Sequence, residues 1–375
     1  MSKLPQVGTT IFAIMSKMAN DFGAINLAQG FPNFAIDNKL NELVKTEASS
    51  LIHQYAPMPG SINLRHAIAE MNLDTYGVKF SVDEEILVTA GATQAIFTTI
   101  QALVNIGDEV VQLDPSYDCY EPAVTLAGGK SVRVNLNDDF RPYWNEIIEA
   151  TNDKTRLLII NNPHNPMGTL WSRDDFKALE TLCAKYPKLL ILSDEVYEYI
   201  TFEKEFISIK SIASLRDRAI CVSSFGKTFH ITGWKIGYLV APNEWMIEIK
   251  KVHQFLVFSV NSIAQEVIAK YIKIADYDHI KSLYQGKRDL FAQAMEKSRF
   301  KMLPCEGSFF QIADYSEISK GKDTEFVKDL VKDFGVATIP TSVFYQDDPD
   351  QQIIRFCFAK EDETLIQAAE KLCKI

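Results

Sequence analysis

The sequence predicts an α/β protein: a large unit on a mostly parallel sheet with helices on both faces, followed by a smaller α+β unit. Three observations lead there. From Ile86 to about Tyr284, short apolar runs alternate with helix-length stretches, the pattern of strands joined by crossover helices. After that point the pattern changes, and strand-like segments at 307–312 and 353–358 are interleaved with helical ones. Finally, 375 residues are long for one core and suit a large domain with a smaller companion.

Taken in order, residues 1–40 read as an N-terminal arm that joins the small domain. Thr9–Ala19 has the look of a short helix, and Asn26–Phe34 reads as an extended segment with a turn. The large domain spans 41–284. In it, Ser61–Tyr76 has helical spacing, and the strand candidate 86–89 precedes a helix over 93–104. The candidate at 109–113 precedes a helix at 117–127, and 157–160 precedes another at 173–185. Leu189–Leu192 runs into Asp194, and Ala219–Val222 and Lys235–Val240 complete the series. The small domain, 285–375, carries a helix to Ser298 and helices at 323–333 and 361–372 beside its strands. In such sheets the functional groups are expected at the carboxyl ends of the strands.

Composition narrows the function. Apolar content of 47% and charged content of 23% are ordinary for a soluble globular protein. A formal charge of −10 leaves no basic surplus to meet phosphates, so neither nucleic acid nor an acidic membrane is an expected partner. The six cysteines, at 119, 183, 221, 305, 357 and 373, are scattered without a Cys-x-x-Cys pair, as in a reducing compartment. The first 20 residues lack a signal-peptide pattern, and no run approaches the roughly 18 apolar residues of a membrane helix. A cytoplasmic location is therefore expected. The histidines have no metal-ligand spacing and no metal is expected.

The chemistry concentrates in a few stretches. Ala219–Val222 breaks into Ser223, Ser224 and Gly226 and then presents Lys227, with a second cation, Lys235, eight residues on. A buried lysine at a strand end has a lowered pKa and can form a Schiff base. The Gly-Lys-Thr step also suggests a phosphate-binding P-loop, but that motif needs glycine at position 221, which is Cys221. A surface turn with a solvated lysine stays open. Gly91-Ala-Thr-Gln sits at a strand–helix junction, where backbone N–H groups and the helix dipole suit an anion. Tyr117, after Asp114-Pro-Ser, has core packing as its ordinary reading, and Asn161-Asn-Pro-His-Asn-Pro-Met-Gly forces a rigid turn. Asp194 at a strand end is ordinarily a helix cap. In 353–358 the period-2 alternation puts Ile354, Phe356 and Phe358 on one face and Arg355 on the other, ordinarily a surface arginine.

Ser-Ser-Phe-Gly-Lys-Thr (223–228) and Thr-Gly-Trp-Lys-Ile-Gly-Tyr (232–238) together resemble the cofactor-lysine segment of class I aminotransferases. These are pyridoxal-phosphate enzymes of the aspartate aminotransferase fold. The chain is most similar to their branch of kynurenine aminotransferases, glutamine transaminase K and methionine aminotransferases, and the match runs in order from Gly30 to Arg355. The resemblance implies pyridoxal 5′-phosphate held by Lys227, with Gly91, Ala92, Thr93, Ser224 and Lys235 around its phosphate. It implies Tyr117 flat on the pyridine ring, Asp194 on the ring nitrogen, and Asn165 and Tyr197 on the 3-oxygen. Arg355 would clamp the substrate α-carboxylate, with Asn165 beside it and Gly30 allowing a close backbone approach. Tyr55 and Phe258 would complete the neighbouring subunit's site, making the active unit a homodimer. The implied activity moves the amino group of a neutral amino acid to a 2-oxo acid, with methionine favoured and aromatic amino acids or glutamine also accepted. Ser259 replaces the histidine of kynurenine and glutamine transaminases, and with Asn261 looks more like the bacterial methionine enzymes. Two alternatives share the fold: a C–S β-lyase working through the same carbanion, and a non-catalytic effector module that binds the cofactor.

Overall fold

The computed structural model describes residues 2–50 and 53–375. At its centre lies a seven-stranded sheet. Its strands are β1 (Ile86–Thr89), β2 (Glu109–Asp114), β3 (Lys130–Asn135), β4 (Thr155–Asn161), β5 (Leu190–Asp194), β6 (Ala219–Ser224) and β7 (Gly237–Val240). They lie in the order β1-β7-β6-β5-β4-β2-β3. β7 runs antiparallel to both neighbours, and the remaining pairs are parallel. Every residue of β1, β5 and β6 is buried, which is why these segments read as unbroken apolar runs.

The sheet also holds a strand that the apolar runs do not mark. β3 is an edge strand, Lys-Ser-Val-Arg-Val-Asn, and only Val134 is fully buried in it. Helices Asn38–Ala48, Asn243–Leu256 and Ser262–Tyr271 were likewise not anticipated. β7 starts at Gly237 rather than Lys235, and the helix expected to end at Ser298 runs Tyr277–Ala294.

The C-terminal part builds a four-stranded antiparallel sheet from β8 (Lys301–Met302), β9 (Phe310–Asp314), β10 (Ile339–Pro340) and β11 (Ile353–Cys357), ordered β10-β11-β9-β8. The arm joins it: Ile25–Asn26 pairs in parallel with Val336–Ala337, and the Cys357 N–H donates to the Leu27 carbonyl at 2.8 Å. The arm's cover changes the reading of Arg355. All five positions of β11 are buried, and Arg355 itself is 1% exposed, so it is no surface arginine. Alternation does place it opposite Ile354 and Phe356, but that opposite face is closed by the arm and by Phe310.

Candidate active site

Parallel strands bring their carboxyl ends to one edge, and Asn161, Asp194 and Ser224 are the last residues of β4, β5 and β6. Register sets Asn161 beside Asp194 and Asp194 beside Val222. β7 then returns antiparallel, with Gly237 opposite Ser224. The crossing between β6 and β7 therefore stays at this edge and carries both lysines. Lys227 lies on the one-turn helix Phe225–Thr228, and Lys235, at φ 51°, ends the turn Thr232–Trp234. A cleft of about 310 Å³ opens here beneath the arm residues Gln29–Phe31 and Arg355.

Lys227 projects into the cleft and donates from Nζ to the Gly30 carbonyl at 3.3 Å. Its Nζ is 5.2 Å from the Phe309 ring centroid and 5.7 Å from that of Tyr197. Burial among these rings disfavours the ammonium and pulls its pKa down to about 8. Tyr197 lines the cleft, its ring edge-on to Phe309.

Asp194 is buried, and burial pushes its carboxyl up to about 6. Its Oδ2 accepts from the Tyr120 hydroxyl at 2.7 Å and its Oδ1 from the Val196 N–H at 3.3 Å. The Asn161 amide donates to its carbonyl at 2.8 Å. Asp194 caps no helix, since a turn over 196–199 follows it. A buried carboxylate turned into a cleft suits a cationic ring nitrogen.

At the other end, Gly91, Ala92 and Thr93 open the helix Ala92–Leu103, whose N-terminus has no side-chain cap. A Cβ on Gly91 would lie 3.4 Å from Lys235 Nζ. A Cβ on Gly237 would lie 2.6 Å from the Ser223 carbonyl and 3.3 Å from the Ala92 nitrogen. Glycine thus lets the strand end seat directly under the helix N-terminus, with Ser224 paired alongside. An ammonium beside the positive end of a helix dipole is a repulsive pairing that a phosphate between them turns attractive. These residues fit the phosphate of pyridoxal phosphate. Tyr117 lines the cleft and meets Tyr120 edge-on at 5.9 Å.

Arg355 closes the third side. Its Nη1 donates to Asn165 Oδ1 at 2.8 Å and its Nη2 to the Ala28 carbonyl at 3.3 Å, while Nε is buried with no partner. Its guanidinium carbon is 3.8 Å from the Phe310 ring centroid and 5.3 Å from that of Phe12. Burial lowers its pKa to about 10, so it stays charged near neutrality. An orphaned N–H on a buried cation suits a carboxylate. The Asn161–Gly168 turn sets Asn165 in place, since the Asn165 N–H donates to Asn161 Oδ1 at 2.7 Å. With Oδ1 committed to Arg355, the Asn165 side chain is left with its amide N–H groups on the cleft lining. Glycine is required at position 30, where a Cβ would lie 2.6 Å from Phe310 Cζ.

Two expected residues stand apart. Tyr55, 81% exposed, and Phe258, half exposed, pack edge-on against each other at 5.4 Å, and neither lines the cleft of its own chain. Ser259 and Asn261 serve local structure: Ser259 Oγ donates to the Ala56 carbonyl at 2.9 Å, and Asn261 caps the helix Ser262–Tyr271. Sequence reasoning missed Tyr120, Phe12, Phe31 and Phe310. Tyr120 lay within reach, three residues after Tyr117 in the same aromatic run, but its contact to Asp194 spans 74 residues and leaves no local mark. The phenylalanines were indistinguishable from core.

The chain matches the model for aminotransferase class I and II over residues 23–372. It is 47% identical to a methionine aminotransferase of Escherichia coli (strain K12), covering 99% of this chain and 97% of the relative. It is 32% identical to a kynurenine–oxoglutarate transaminase of Dictyostelium discoideum, covering 98% and 94%. A crystal structure of an Escherichia coli protein with a methionine aminotransferase function superposes with a TM-score of 0.97 at 46% identity, covering 100% of this chain and 99% of the other.

Proposed function

The chain belongs to the class I and II aminotransferases, and on that premise we propose that it moves the amino group of methionine to a 2-oxo acid. Aromatic amino acids and glutamine are its further donors. The observation that carries this reading is the placement of Lys227 between two charged anchors, Asp194 and Arg355, in one cleft. The likeness to a methionine aminotransferase supports the choice of donor.

Pyridoxal phosphate, when bound, supplies an electron sink for negative charge developing at the amino acid's α-carbon. Lys235 with Gly91, Ala92, Thr93 and Ser224 would hold its phosphate, and Tyr117 would cover its ring. Asp194 keeps a proton on a ring nitrogen placed against it, aided by the hydrogen bond from Tyr120. Asn165 and Tyr197 offer donors to the ring's oxygen. Arg355 binds the substrate α-carboxylate and so points the α-carbon at Lys227. Lys227, with a pKa of about 8, takes the α-proton as general base and, as general acid, would hand it on to the cofactor's C4′ in the same half-reaction, the second half-reaction reversing the transfer. Tyr55 and Phe258 serve the neighbouring subunit's site, so the working unit is a homodimer. The arm and residues 285–375 form the smaller domain over residues 41–284. Six unpaired cysteines support a cytoplasmic setting, and no helix among the described residues is long and apolar enough to cross a membrane.

The test is a panel of amino donors against several 2-oxo acids, run on the wild type and on Arg355→Lys. Methionine should rank first. Arg355→Lys keeps the charge but loses the planar fork, worth about 1.5–3 kcal/mol, or roughly 10- to 150-fold in kcat/KM with every amino acid. Pyruvate and thiol released from a cysteine conjugate without any 2-oxo acid would instead favour the lyase. A loss at Arg355→Lys confined to some donors would remove it from the carboxylate.

A further inference from the structure

The arm segment that roofs the cleft is tied to the end of β11 contact by contact. Leu27 accepts from the Cys357 N–H at 2.8 Å and Ala28 from Arg355 Nη2 at 3.3 Å. Asn33 Oδ1 accepts from the Glu361 N–H at 2.6 Å. Between them Lys360 donates to both carbonyls that flank Gly30: Gln29 at 3.3 Å and Phe31 at 2.8 Å. Its Nζ also lies 4.5 Å from the Phe31 ring centroid. Lys360 is 3% exposed, and burial lowers its pKa with no carboxylate contributing to its surroundings. A buried ammonium held only by carbonyls and a ring is a costly arrangement, and here it bridges the two residues on either side of the carbonyl that meets Lys227. Phe31 is 41% exposed and lines the cleft, so its position depends on this tie.

We propose that Lys360 is a positioning residue: it fixes the Gln29–Phe31 segment and so sets Phe31 as an apolar wall for the substrate side chain. The proposal rests on the aminotransferase reading above. Arg355 holds the carboxylate that all amino acids share, whereas Phe31 touches only those with a long side chain. Lys360 therefore acts on selectivity through Phe31 and on the approach of Gly30 to Lys227 through the backbone. Two carbonyls pointing at one ammonium also explain why an uncharged residue would not serve, since a charged donor makes the stronger bonds.

The test compares wild type, Lys360→Met, Lys360→Arg and Phe31→Ala as cofactor-loaded full-length protein. Backbone hydrogen exchange is followed over residues 26–34, and kcat/KM is measured for methionine and for alanine. Lys360→Met should speed exchange in that segment while β5 keeps its wild-type rate. It should lower kcat/KM for methionine roughly 10- to 100-fold, the range for a lost charge-assisted hydrogen bond, and for alanine by less. Lys360→Arg should restore both readouts, and Phe31→Ala should repeat the methionine-selective loss. Lys360→Gln, which keeps an amide donor, takes the place of Lys360→Met should the latter not fold. Wild-type exchange over 26–34 in the variant, or equal losses for the two amino acids, would overturn the proposal. If the wild type takes no amino group from methionine, the functional reading fails, while the exchange comparison still decides the tie.

Discussion

Lys227 is an amine whose surroundings work against its charge. Removing it from water among Tyr197 and Phe309 is the largest influence, and Arg355 adds repulsion, while Asp194 pulls the other way. A lysine at about 8 instead of 10.5 binds fewer protons in the folded than in the unfolded chain between those values. Stability of the cofactor-free protein should therefore rise with pH across that window. The same shift governs reactivity, because only the neutral amine attacks a carbonyl. Capture of pyridoxal phosphate by the cofactor-free protein should accelerate with pH to a plateau, with its midpoint near pH 8 when followed by absorbance. A midpoint near the ordinary lysine value would mean that Lys227 is solvated in the working protein. Lys227→Ala should abolish the absorbance change.

At the scale of elements, the proposed phosphate-holding end is a helix N-terminus whose N-cap residue has to be glycine. Gly91 has φ 80° and ψ 168°, a region essentially closed to other residues and costing about 1–3 kcal/mol when forced. Gly91→Ala should lower Tm and weaken retention of the cofactor, measured as its dissociation constant by fluorescence. Gly77 is the control: it ends helix Ile62–Tyr76 at φ 68° with nothing within 4 Å of an added Cβ. Gly77→Ala should lower Tm and leave the dissociation constant alone. Elements were also legible in proportion to their burial. β1, β5 and β6 are buried throughout and show as apolar runs, whereas β3 is an edge strand in which only Val134 is buried, so its mixed residues form no apolar run. The helix Arg173–Lys185 begins at a capping box between Ser172 and Asp175, a local feature that needs no distant partner.

For the whole molecule, the proposed homodimer can be tested at the exposed apolar residues, where a second copy would sit. Tyr55 and Phe258 are exposed together, and Phe255 and Leu256, close by in the chain, are exposed as well. If Tyr55 serves the neighbour, a hybrid of Lys227→Ala and Tyr55→Ala subunits has one site with both residues intact. Co-expression of the two variants should then yield roughly a quarter of wild-type activity from random pairing, although each homodimer alone is impaired. Activity no higher than the sum of the two homodimers would place Tyr55 in its own subunit's site.

By itself the sequence determined the mostly parallel sheet and the edge at which its polar groups gather, and it singled out the segment around Lys227. Those features are written in local patterns: buried runs, turn residues at strand ends, and a contiguous motif. It also pointed to Asp194, Asn165 and Arg355 through their motifs, and the fold draws all three into one cleft with Lys227. Tertiary structure decided what surrounds them. Alternation could say which face of β11 carries Arg355, but only the arm packed over that face makes it a buried cation with an orphaned Nε. Tyr120 on Asp194 and Lys360 on Gln29 and Phe31 are contacts across 74 and about 330 residues. No periodicity carries such pairs, because burial and hydrogen bonding between distant segments exist only once the chain has folded.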